Sequence, residues 1–159
     1  MKKLISYLLF YVVFCLIQFF LGRYVNVYGI FPNFILILIV YLGLSKGIMN
    51  AQLTGFLFGL TWDVFSTDIF GIRAVMFAVI GYFAGRFCGS FDREKTLTQF
   101  VIVFFASIVY WAGFSLIYFV VSGGENYAFS LTILSVLVKI IITVLFAPLV
   151  FYILDRIVG

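Results

Sequence analysis

Three charged side chains stand between two apolar runs near the middle of this chain. In GFLFGLTWDVFSTDIFGIRA, residues 55–74, they are Asp63, Asp68 and Arg73. Two carboxylates five residues apart are the raw material of acid–base chemistry. Here no third group positions a nucleophile, and the chain contains no histidine, the commonest general base and metal ligand. A cation held between the carboxylates is opposed by the nearby Arg73. Cys15 and Cys88 lie in or beside apolar runs without a CxxC spacing and read as small hydrophobes in helix packing. The residues therefore ask for no metal and no cofactor, and the protein is not expected to be an enzyme.

A fourth charge, Lys139, lies inside the last apolar run, on a helical face with Thr132, Ser135 and Thr143. Charges at such depth are costly and usually turn toward the bundle interior and a partner. Side chains lean toward the amino-terminal end of a helix, which carries Lys139 toward the level of Asp63. The expectation is that Asp63 pairs with Lys139, with Arg73, or with both. The simpler alternative for Lys139 is an ammonium that snorkels through a gap between helices. The preceding helix offers a matching polar stripe of Ser107, Trp111, Ser115 and Tyr118.

These charges are positioned by a membrane-grade chain. Of 159 residues, 65% are hydrophobic and 10% charged, with a mean hydropathy of +1.26. A soluble domain carries about 25% charge, so this is an integral membrane protein. Its net charge of +4 comes from scattered bases, which excludes a nucleic-acid surface. Six apolar segments, at about residues 4–22, 30–45, 47–63, 69–88, 97–121 and 128–153, predict an all-α bundle of six transmembrane helices. They form one transmembrane domain spanning 1–159. The first follows Met1-Lys2-Lys3 but is long for a signal sequence and is followed by no small-residue cleavage site, so it is read as a retained helix. Pro32 suits a first helical turn of the second, and Pro148 is expected to bend or shorten the sixth.

Orientation follows the bias of Lys and Arg in short loops. Lys2, Lys3, Lys46, Arg86, Arg93, Lys95 and Arg156 fall on one side, against Arg23 and Arg73 on the other. Both termini are then cytoplasmic, and the longest loop, Gly89 to Thr96, is a cytoplasmic loop of mixed charge. Small residues mark where helices approach closely in lipid. The third segment has Gly47, Ala51, Gly55 and Gly59 at four-residue steps with Asp63 continuing the series, and the fourth has Gly71, Ala74, Ala78, Gly81 and Gly85. The two stripes are expected chiefly to pack on each other. The functional alternative gives part of one stripe to a partner's transmembrane helix.

The ordered combination of Pro32-Asn33, Gly55 to Leu60, Asp63, Gly71 and Ala74 resembles the MreD family, rod shape-determining membrane proteins of bacteria. The likeness is strongest from Phe31 to Tyr82. It implies a non-enzymatic scaffold of the cell-elongation complex in the bacterial cytoplasmic (inner) membrane, a multi-pass protein binding the transmembrane and juxtamembrane segment of MreC. Through MreC it would couple MreB filaments to the peptidoglycan glycosyltransferase and transpeptidase. The docking and structural residues would be Pro32, Asn33, Gly55, Gly59, Asp63, Gly71, Arg73 and Ala74. Lys139 joins them on its intramembrane position alone, because the last two helices carry no family signature. The basic inner residues would meet membrane lipids. The resemblance also implies a fold similar to the substrate-capture subunits of energy-coupling-factor vitamin transporters, which supply the rival function. Their first helix docks a coupling subunit through an Ala-x-x-x-Ala pattern, which Leu4 to Leu21 lacks, and the outward loops here are short for enclosing a vitamin.

Overall fold

The computed structural model describes residues 32–66, 70–88, 95–121 and 129–158. Contacts divide the chain into residues 1–31 and 32–159, and every described residue belongs to the second unit. The first apolar segment, with Lys2, Lys3, Cys15 and Arg23, lies outside the described residues, as do Asp68, Arg93, most of the loop from Gly89 and the side chain of Thr132. The described residues form five helices and no strand: α1 Phe34–Lys46, α2 Ile48–Phe65, α3 Ile72–Arg86, α4 Thr96–Val121 and α5 Phe129–Val158. They answer to the second through sixth apolar segments.

The first of them, α1, is the core. Its sequence FILILIVYLGLSK is apolar all round, the pattern of a helix with no solvent or lipid face, and Ile35 to Tyr41 are each at most 2% exposed. Helices α2, α3, α4 and α5 all pack on it. The Asn33 side chain accepts the Leu36 N–H at 3.2 Å, so Asn33 is the N-cap and Pro32 stands just before it rather than in the first turn. Gly47 ends α1 at φ +83°, a conformation that disfavours a Cβ. It is therefore the turn residue between α1 and α2, and the small-residue stripe of α2 starts at Ala51.

Helices α4 and α5 form the long exterior. Their apolar stretches, Thr96–Val121 and Leu134–Arg156, have mean hydropathies of 2.2 and 2.6 and are the two described helices long and apolar enough to cross a membrane. At ~1.5 Å per residue both exceed a ~30 Å hydrocarbon core. Pro148 does not shorten α5, which continues through it to Val158.

Side-chain contacts fix the relative directions. Asn33 meets Thr143 and Tyr41 meets Asp155, so α1 and α5 run parallel. The backbone of Ile48 lies against Gly85 and that of Ala74 against Gly59, so α2 and α3 are antiparallel. Phe77 stacks on Tyr110 and Arg73 lies over Phe114, so α3 and α4 are antiparallel as well. Lys46, Arg86, Lys95 and Arg156 consequently gather at one end of the bundle, and Arg73 stands at the other with Asp63.

Candidate functional site

The hairpin of α2 and α3 is built on backbone contact. A Cβ placed on Gly55 would meet the Phe77 carbonyl oxygen at 2.6 Å, and one on Gly81 would meet the Ala51 carbonyl at 2.7 Å. At Gly59 it would strike the Ala74 backbone, and at Gly85 the Ile48 backbone. Gly43 of α1 meets Ala84 in the same manner, at 2.6 Å from its Cβ. The two small-residue stripes are thus filled by each other and by α1. Close approach along them maximises dispersion contact where lipid provides no hydrophobic drive.

The seam ends at Asp63. It lies in the last turn of α2, four residues beyond Gly59, and its side chain is 0% exposed. A carboxylate at a helix C-terminus is in the less favourable field of its own helix, but this one reaches across to α3. Its Oδ2 accepts the N–H of Gly71 at 3.0 Å and of Ala74 at 3.2 Å. Gly71 is the N-cap of α3, held at φ +94° and with no side chain to offer. One oxygen of Asp63 therefore accepts both N–H groups that a capping box satisfies, supplied from the preceding helix. The other oxygen, Oδ1, accepts from Arg73 Nη1 at 3.3 Å. The end of α2 is closed in turn by Ser66, whose N–H and hydroxyl both donate to the Asp63 carbonyl, at 3.3 and 3.2 Å.

Arg73 ties this corner to the rest of the bundle. Its guanidinium lies 5.5 Å from the centre of the Phe114 ring on α4, a cation–π distance, and its side chain is 15% exposed. Phe114 belongs to a stack running from Phe77 through Tyr110 to Tyr118, with centroids 5.1, 6.1 and 6.4 Å apart. Lys139 is half-buried on α5, within electrostatic range of Arg73. The Asp63 carboxylate thus meets Arg73 and two backbone N–H groups.

Pro32 and Asn33 serve the same end of the molecule. The Asn33 N–H donates to Thr143 Oγ1 at 3.1 Å, and that hydroxyl donates to the Lys139 carbonyl at 2.7 Å. The start of α1 is thereby fixed to the turn of α5 that carries Lys139. The polar stripe expected on α4 is not one interface: Ser107 is buried and bonds back to the Val103 carbonyl at 2.8 Å, whereas Ser115 is exposed. Sequence reasoning missed the aromatic stack on α4, although Tyr110, Phe114 and Tyr118 recur at four-residue steps, the spacing of one helix face. It also missed the bond from the Tyr41 hydroxyl to Asp155 Oδ1 at 2.9 Å, whose only signal was a polar group in each of two apolar runs. Among the described residues no three Cys, Asp or Glu side chains come together as metal ligands.

A family model described as rod shape-determining protein MreD matches residues 1–157. No curated protein and no solved structure matches the chain.

Proposed function

The chain belongs to the MreD family, and from that membership we propose that it is a non-enzymatic, multi-pass scaffold of the rod complex in the bacterial inner membrane. In this reading it is one transmembrane domain of six spans with cytoplasmic termini. It binds MreC and helps couple MreB filaments to the glycosyltransferase and transpeptidase that build peptidoglycan. The observation that carries the reading is the extent of the family match, which takes in essentially the whole chain rather than the hairpin alone.

The geometry of the corner refines how docking works. Gly55, Gly59, Gly71 and Ala74 are occupied within the hairpin, and Asp63 is spent on the α3 N-terminus. These residues act by shaping the rim, as Pro32 and Asn33 do by fixing α1. What the rim presents is Arg73 and the exposed side chains of Val64, Phe65 and Phe70, 63%, 75% and 62% accessible. Aromatic anchors beside a cation suit the segment of MreC where its chain leaves the bilayer.

Co-purification tests this. The chain expressed with MreC is expected to bring it down, and a Phe65→Ser, Phe70→Ser double variant to lose MreC while keeping the wild-type melting temperature. A preparation that carries no MreC and instead retains a vitamin would sink the proposal.

A further inference from the structure

Toward the opposite end of the bundle, a groove of about 480 Å³ lies between α3 and α4. Its walls are hydrocarbon, with Phe83 on α3, Phe87 just past its end, and Leu97, Val101, Phe105 and Val109 on α4. Two exposed bases neighbour its lining residues in sequence. Arg86 immediately precedes Phe87 in the last turn of α3, and Lys95 lies two residues before Leu97.

We propose that this groove is a binding site for one acyl chain of an anionic phospholipid, whose headgroup phosphate sits on Arg86 and Lys95. The dimensions choose this occupant over a protein helix. From Leu97 to Val109 the groove runs about 18 Å along α4 at the rise of an α-helix. That is about the depth of one leaflet of a ~30 Å core, whereas a partner's transmembrane helix follows its neighbour through both leaflets. Charge complementarity selects the headgroup. Cations at an inner membrane surface favour anionic lipid, and this pair flanks the lining residues Phe87 and Leu97 at the basic end of the bundle. The site rests on the proposed orientation, with this end inside, and is independent of MreC binding.

The test is native mass spectrometry of the full chain released from vesicles of dioleoyl phosphatidylglycerol or dioleoyl phosphatidylcholine. Wild type is expected to retain one phosphatidylglycerol and to prefer it over phosphatidylcholine by about thirtyfold, about fivefold from each cation. Replacing both exposed bases, Arg86→Gln with Lys95→Gln, should leave the melting temperature unchanged and bring the preference close to parity. Ala106→Phe, which fills the groove wall from α4, should abolish retention of both lipids. Equal retention of the two lipids by wild type overturns the proposal, as does a preference that survives in the double variant. A photocrosslinker at Phe105 should label phospholipid in membranes, and its capture of a protein helix instead also overturns it.

Discussion

The two oxygens of Asp63 hold three donors from α3 and its N-cap. Removing one partner of a buried, hydrogen-bonded ion pair leaves the other charge stranded, at a cost of about 3–5 kcal/mol. Asp63→Ala is expected to lose that much in reversible unfolding in mixed detergent micelles, since two buried backbone N–H groups lose their acceptor and Arg73 loses the carboxylate opposite it. Asp63→Asn retains an oxygen able to accept from Gly71 and Ala74 and loses only the charge opposite Arg73. It should cost about 1–3 kcal/mol. Paired with Arg73→Met in a double-mutant cycle, it should show a coupling of at least about 0.5 kcal/mol. Additive losses would mean that the 3.3 Å contact contributes nothing. Tyr41→Phe tests a second buried contact, the bond to Asp155, and should cost about 1 kcal/mol without altering the edge-on packing against Phe151.

The α2–α3 seam makes a contrast between glycines. At Gly59 an added methyl group strikes the Ala74 backbone, which cannot step aside, so Gly59→Ala should destabilise by about 1–3 kcal/mol. At Gly113 the nearest atoms are the thioether end of Met76, a side chain that swings readily, and Gly113→Ala should stay within about 0.5 kcal/mol of wild type. Equal melting temperatures for the two variants would deny that backbone contact holds the hairpin. The seam was legible in the sequence because small residues at three- and four-residue steps mark a face whatever lies opposite. The burial of α1 was not. FILILIV presents the same surface in every direction, so periodicity assigns it no face, and its central place emerges only when four helices are packed around it. Gly47 and Gly71 were read as members of the stripes, since spacing alone cannot tell a packing glycine from one needed for a positive φ. The Arg73 partner of Asp63 is among those the sequence nominates, but its other two donors are not, for a related reason. Charge pairing nominates other charged side chains, whereas two of its three donors are backbone N–H groups that every residue type carries. In the structure Asp63 and Arg73 close on each other and on the start of α3.

At the scale of the whole molecule, the separation of charge makes a claim about the membrane that can be checked directly. Four described bases, Lys46, Arg86, Lys95 and Arg156, lie at one end of the bundle, and the corner of Asp63 and Arg73 at the other. Translocation disfavours short loops rich in Lys and Arg, and the proposed orientation accordingly has the four-base end in the cytoplasm and the hairpin rim outside. Cys88 follows the last turn of α3 at the basic end, exposed and free, and Phe70 is exposed at the hairpin rim. In a Cys15→Ser background, a membrane-impermeant maleimide should leave Cys88 unlabelled in intact spheroplasts and label it once they are lysed. A chain with Cys15→Ser, Cys88→Ser and Phe70→Cys should label in both. Thiol chemistry needs water as well as access, so labelling of the lysed sample is the internal control for Cys88. The reverse pattern would put the rim in the cytoplasm, where the external segment of a bitopic partner has no access to it. It would also move the Arg86 and Lys95 pair to the outer leaflet, so a single labelling experiment bears on both proposed sites.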